Sequence, residues 1–115
     1  MSAAHIDFET RSAFDLIKGG AHAYAEHPST DVWCMAYAFG DEEPALWLPG
    51  QPLPDRFRRH VEAGGVLVAH NAAFEMAIWR GVMTPRYGWP EPAVEQWRCT
   101  MAMAYAMALP GKLDG

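Results

Sequence analysis

Residues 3–10, AAHIDFET, begin as an apolar run and end in alternating acidic and aromatic side chains. The run over 3–8 predicts a short buried strand, in which residues i and i+2 point to the same face. Asp7 and Glu9 therefore leave the strand on one side. Two neighbouring carboxylates are costly to bury unless a cation or donor compensates. This arrangement favours a metal site, and the alternative is that both acids mark the solvated end of the strand.

A second stretch, residues 66–75, has the sequence VLVAHNAAFE. Its first four residues are wholly apolar, as expected for a central strand that is buried on both faces. Asn71 suits a helix N-cap, and a helix is expected from Ala72 to Val82. Glu75 falls in the first turn, where the helix dipole stabilises a carboxylate, so one alternative is that it only stabilises the start of the helix. If the strand lies beside the first one, Glu75 points over the end of the sheet towards Asp7.

The remaining segments complete a mixed α/β pattern. Strands are expected over 32–39, 45–48 and 94–98, with a hairpin turn over 40–44, and helices over 53–63 and 100–109. Two weaker stretches are expected to be irregular: 10–31, with one helical turn over 13–18 cut by Gly19-Gly20, and the proline-rich loop 84–92. An antiparallel meander followed by helix-connected strands implies a mixed sheet with flanking helices.

Composition limits the function classes. The formal charge of −5 argues against a protein that holds nucleic acid by a broad basic surface. It is compatible with an enzyme whose acidic site is neutralised by bound ions. The basic run over 56–60 is interpreted as the solvated face of a helix. Cys34 and Cys99 are expected to be reduced, structural thiols. No apolar run has the length of a membrane span and no signal peptide is evident, so a cytoplasmic setting is expected.

The acidic clusters together resemble a known family. Asp7-Phe8-Glu9-Thr10 and the HNAAFE motif over 70–75 resemble the first and second motifs of the DnaQ-like (DEDD) 3′–5′ exonucleases, which have an RNase H-like fold. The wider text, DFETRS over 7–12, Tyr24-Ala25 and HPST over 27–30, is similar to the N-terminal exonuclease region of phage-type family A DNA polymerases. The resemblance covers nearly the whole chain, as one domain over 1–115.

The resemblance implies hydrolysis at the 3′ end of single-stranded DNA by two Mg²⁺ or Mn²⁺ ions. Three carboxylate ligands also suit these ions better than zinc. Asp7 would bridge the ions, Glu9 would ligate one and help to place the attacking water, and Glu75 would stand where the family has a metal-binding aspartate. Substrate contacts are implied for Thr10, Asn71 and Phe74. If the chain is phage-encoded, the host cytoplasm is its expected location.

The third motif of that family is missing from the expected place. Tyr105 and Asp114 are nine residues apart with Pro110-Gly111 between them, which does not match the family's spacing. The fold is therefore expected to be partial and truncated at its C-terminal end, with the rest of the exonuclease or polymerase as a partner, or with self-association through exposed core. Two alternatives stay open: a catalytically incomplete relic that binds metal or nucleic acid, and an unrelated α/β domain with coincidental acids. The four histidines outside the second motif are interpreted as surface or core residues: His5, His22, His27 and His60.

Overall fold

The protein is described by a computed structural model over residues 2–103. Its strands are β1 (Ala4–Arg11), β2 (Asp31–Phe39), β3 (Ala45–Trp47), β4 (Leu67–Ala69) and β5 (Trp97–Cys99). Its helices are α1 (Leu16–Glu26), α2 (Asp55–Glu62), α3 (Ala72–Ile78) and α4 (Thr84–Tyr87). A π-helical segment, Trp79–Met83, joins α3 to α4, and a 3₁₀ turn, Val94–Gln96, precedes β5.

The five strands form one mixed sheet in the order β3-β2-β1-β4-β5. The hairpin strands pair antiparallel, β1 with β2 and β2 with β3. The strands that follow helices pair parallel, β1 with β4 and β4 with β5. Parallel neighbours need a crossover connection, which α2 and the α3–α4 segment supply. The predicted mixed α/β sheet with flanking helices is confirmed, and this topology is consistent with an RNase H-like fold.

The central strand β1 divides the molecule into two faces. Ile6 and Phe8 are buried, whereas Asp7 and Glu9 are exposed, as the strand period of two predicts. The Phe8 ring packs edge-on against Trp79 at 6.0 Å between centroids. Trp79 in turn stacks on Phe57 of α2 at 5.9 Å. The helices therefore cover the Phe8 face, and the two acids lie on the opposite face.

The expectation of one helical turn over 13–18, cut by Gly19-Gly20, is correct only in part. The helix α1 runs from Leu16 to Glu26 as two helical pieces that meet at Gly20, whose φ of 80° and ψ of 167° are not helical. Helix is therefore interrupted at Gly20, as expected, but a second helical piece follows where none was expected. Glycine adopts this positive φ at little cost. Asp15 caps the helix, because its carboxylate accepts hydrogen bonds from the backbone N–H groups of Ile17 and Lys18 at 2.9 and 3.2 Å.

The expected loop over 84–92 is wrong in its first part. The helical chain passes from α3 through the π-helical segment into α4, so helix continues to Tyr87 rather than ending at Val82. Pro85 is the second residue of α4 and directly follows the π-helical segment, so the chain stays helical across a residue that has no backbone N–H. Gly88, with φ 73°, ends the helix, and residues 88–93 form the irregular segment. The expected strand over 94–98 begins as the 3₁₀ turn and becomes strand only at Trp97.

The structure also bears on the expectations for the cysteines, the basic run, membrane spans and the last helix. Cys34 and Cys99 are both free thiols. In the basic run, Arg56 and Arg59 are exposed, but His60 is buried beside the Val66 carbonyl at 2.8 Å. Within residues 2–103, no helix is long and apolar enough to cross a membrane. Residues 100–103 are helical, at the start of the helix expected over 100–109. The later positions of that expectation, together with Tyr105 and Asp114, lie outside the described residues.

Candidate functional site

Glu75 is the buried carboxylate of the second motif. It lies in the first turn of α3, and its Oε2 accepts a hydrogen bond from the backbone N–H of Phe8 at 3.1 Å. The short strand β4 pairs with β1 only at Ala4 and His5. The amide of Phe8 therefore lies beyond the end of β4, and Glu75 supplies the acceptor that a longer strand would have given. This bond fixes Glu75 beside the backbone between Asp7 and Glu9.

The surroundings of Glu75 disfavour its ionised form. The residue is 4% exposed. Burial raises the pKa of its carboxyl group from 4.5 to about 7, the hydrogen bond from Phe8 opposes the rise, and the charges of Asp7 and Glu9 add to it. Three carboxylates thus interact at one end of the sheet, and Glu75 takes up a proton near neutral pH unless a positive charge compensates.

An open pocket of about 530 Å³ lies in front of these groups. Four residues singled out from the sequence motifs line it: Asp7, Asn71, Phe74 and Glu75. Asn71 caps α3 by accepting from the Phe74 N–H at 3.4 Å, which places Phe74 and Glu75 relative to each other. The rest of the wall comes from Ile6, Phe8, Leu16 and His70.

Glu9 and Thr10 are not among the residues that line this pocket. Glu9 is exposed on the same face of β1 as Asp7. The Thr10 hydroxyl lies 2.9 Å from the Tyr24 hydroxyl, and the Tyr24 ring centroid is 6.1 Å from that of Phe74. Thr10 is therefore connected to Phe74 through Tyr24, which lies between them.

Sequence reasoning missed two residues of this neighbourhood, Leu16 and Tyr24. Both belong to α1, the helix that was not predicted at its full length. The signal that identifies its start is Asp15, an N-cap residue directly before Leu16. Tyr24 was noted only as part of the family resemblance, and its buried position beside Thr10 depends on the path of α1 after the Gly20 kink.

The carboxylates of the acidic motifs are suitable ligands for a divalent cation, but their side chains are not arranged as a complete coordination site. Among residues 2–103, no three His, Cys, Asp or Glu side chains are placed to hold a metal ion. Carboxylate oxygens are nevertheless the ligands that Mg²⁺ and Mn²⁺ prefer. Asp7 and Glu75 share a pocket. The pKa of Glu75 is raised mainly by burial and to a smaller extent by the charges of Asp7 and Glu9, and a bound cation would favour the ionised form of all three carboxylates.

A second pocket, of about 390 Å³, lies at the other end of β1 near Phe39 and His60. Arg56 and Arg59 also line it. The Arg56 guanidinium lies 4.2 Å from the Phe39 ring centroid and makes two 2.6 Å hydrogen bonds to the Glu42 carboxylate. Its charge is therefore already compensated, and none of the acidic motif residues lines this pocket.

Comparison with known proteins gives one relative of defined function. The chain is similar over its whole length to the DNA polymerase of Bacillus phage SP02, with 36% identity over 122 aligned residues. The chain is related to a region of a phage DNA polymerase. It spans 17% of the length of that polymerase. No family model and no solved structure matches the chain.

Proposed function

We propose that this chain is the N-terminal part of a 3′–5′ exonuclease domain associated with a DNA polymerase, and that it acts on the 3′ end of single-stranded DNA. The observation that carries the proposal is the buried Glu75 carboxylate, bonded to the Phe8 amide between Asp7 and Glu9. The relationship to a phage DNA polymerase supports the same reading, because a proofreading nuclease is a natural part of such a protein.

Different residues of the chain would bind the metal ions, contact the substrate and hold the site in position. Asp7, Glu9 and Glu75 would hold Mg²⁺ or Mn²⁺, which when bound would activate water and stabilise the leaving 3′ oxygen. Phe74 is half-buried in the pocket wall and offers a ring for stacking on the terminal base. Asn71 fixes the start of α3, so that this ring and the Glu75 carboxylate keep their relative positions.

Digestion of a 5′-labelled single-stranded oligonucleotide in Mn²⁺ tests the proposal. The wild-type chain should shorten it one nucleotide at a time from the 3′ end. Asp7→Asn and Glu75→Gln should each slow digestion by about 100-fold or more, because loss of even an outer partner of a metal site costs 10- to 100-fold. Glu95→Gln, which removes an exposed carboxylate on the 3₁₀ turn, is the matched control and should digest like wild type.

The same experiment separates this proposal from the incomplete-nuclease alternative. Internal cleavage, or digestion that survives Asp7→Asn, would contradict a 3′–5′ exonuclease at this site. No digestion by any chain, with Mn²⁺ binding that is lost in Asp7→Asn, would support a metal-binding nuclease fold that needs a further polypeptide segment for turnover.

A further inference from the structure

Trp33 is an exposed aromatic residue beside the acidic strand. It is 60% exposed, whereas the other four tryptophans of the chain are buried. The register between β1 and β2 shifts here, so that Glu9 pairs with Cys34 and Thr10 pairs with Val32. Trp33 therefore has no partner in β1, and at this β-bulge its indole ring lies at the surface, whereas Val32, Met35 and Phe39 of the same strand are buried.

A guanidinium group lies over this ring. The Arg11 Cζ is 6.0 Å from the centroid of Trp33. Arg11 is two residues after Glu9, so that the Trp33–Arg11 pair lies next to the acidic end of β1. An aromatic face combined with an arginine is the arrangement that proteins use to bind single-stranded nucleic acid, through base stacking and a phosphate contact.

The charge of Arg11 is only loosely compensated. Its nearest carboxylate is Asp31, at 3.9 Å. Asp31 also forms an ion pair with Arg86 at 3.4 Å and accepts a 2.8 Å hydrogen bond from the Tyr87 hydroxyl. Burial works against ionisation of Asp31, but these partners lower its pKa overall. Arg11 and Arg86 thus both contact the Asp31 carboxylate, Arg11 at the longer distance, and the Arg11 guanidinium also lies beside the exposed ring.

We propose that Trp33 and Arg11 form a stacking platform for a nucleobase of single-stranded DNA, upstream of the nucleotide held in the Glu75 pocket. The proposal rests on the proposed function in one respect, since the strand on the platform is the one whose 3′ end enters that pocket. The platform is one strand position from Glu9, because Cys34, the next residue after Trp33, is the register partner of Glu9.

Binding is measured without hydrolysis, in EDTA at low ionic strength, by tryptophan emission during titration with a short oligothymidylate. Trp33 is the exposed indole, so the oligonucleotide should quench the wild-type emission. Trp33→Leu should abolish the quenching and weaken binding, measured by fluorescence anisotropy of a labelled oligonucleotide, by at least about fivefold. Trp33→Phe should retain most of the affinity. Ile17→Ala, which removes another exposed apolar side chain, is the control and should bind like wild type.

Two substrates keep failure of the platform distinct from failure of the proposed function. In Mn²⁺, Trp33→Leu should slow digestion of an oligonucleotide and leave hydrolysis of thymidine 5′-monophosphate p-nitrophenyl ester unchanged, because that substrate does not reach the platform. Ester hydrolysis should be lost in Asp7→Asn and kept in Trp33→Leu. That result would show that this substrate reports on the carboxylate site and not on the platform.

The platform is overturned if Trp33→Leu binds and digests the oligonucleotide like wild type, or if no oligonucleotide quenches the wild-type emission. It is also overturned if Trp33→Leu changes only the sedimentation coefficient of the chain. That result would make the exposed indole a contact between copies of the protein.

Discussion

At the scale of single residues, the protonation state of Glu75 decides how the site responds to pH. Its carboxyl group is buried and lies near two other carboxylates, and its pKa is about 7 as a result. In the unfolded chain the same group has an ordinary pKa near 4.5. Between these values the folded state retains a proton that the unfolded state has released. Stability from this group is therefore fully present below about pH 4.5 and is lost as pH rises towards 7.

The corresponding prediction is a pH dependence that one substitution removes. In EDTA, the free energy of unfolding of the wild-type chain should fall between pH 4.5 and 7, by up to about 3 kcal/mol from this group alone. Glu75→Gln should remove this component, because the amide cannot ionise and its oxygen can still accept from the Phe8 N–H. Urea unfolding at several pH values measures both chains, and Glu95→Gln should follow wild type. Equal slopes for wild type and Glu75→Gln would contradict the assignment.

Some of this residue-scale picture follows from the sequence, and some does not. The shared face of Asp7 and Glu9 follows from the period of two in a strand. The direction of Glu75 towards Asp7 was inferred on the condition that the strand before it lies beside the first strand, and β4 does pair with β1. Its hydrogen bond to the Phe8 amide could not be inferred, because it depends on β4 ending before it reaches that point of β1. The exposure of Trp33 likewise depends on a β-bulge that has no local sequence signature.

At the scale of elements, the contact between α1 and the π-helical segment holds the wall of the pocket in place. A Cβ atom added at Gly81 would lie 2.7 Å from the carbonyl oxygen of Ala25. The two helices therefore approach each other backbone to backbone, and only glycine leaves enough room. Because α1 carries Leu16 and Tyr24, their positions depend on this close approach.

Gly81→Ala should separate these helices. We expect a loss of about 1–3 kcal/mol in the free energy of unfolding, which is typical of overpacking at a tight contact. Ala73→Ser, on the exposed side of α3, should stay within about 0.5 kcal/mol of wild type. Urea denaturation measures both. An unchanged midpoint for Gly81→Ala would show that the helices are not in the close contact described.

Sequence patterns predicted some of these helices and strands correctly and others not. The strands β2, β3 and β4 were predicted closely, because apolar and β-branched runs between turn residues mark them clearly, whereas the strand expected over 94–98 is mostly a 3₁₀ turn. The second piece of α1 was not predicted: Gly19-Gly20 predicts a helix end, and the chain does leave helical geometry at Gly20 before helix resumes. The continuation of helix through Pro85 was missed because proline usually ends a helix, but here it follows a π-helical segment and the chain stays helical.

At the scale of the whole molecule, charge and topology together define what the site needs. The chain carries a formal charge of −5, and its acidic motif residues gather at one end of β1. A polyanionic substrate can approach such a surface only where local positive charge offsets it. Bound cations at the carboxylates and the Arg11 guanidinium are the two sources that the account assigns. The first was proposed from the acidic motifs of the sequence and stays a prediction, whereas the position of Arg11 beside Trp33 follows only from the fold.

A shared cation site is best tested by Mn²⁺ binding at pH 8, followed by the electron paramagnetic resonance signal of free Mn²⁺. We expect the wild-type chain to bind Mn²⁺ and Glu95→Gln to bind it equally well. Asp7→Asn and Glu75→Gln should each weaken binding by about tenfold or more. Equal Mn²⁺ affinity in all four chains would contradict a shared cation site at Asp7, Glu9 and Glu75.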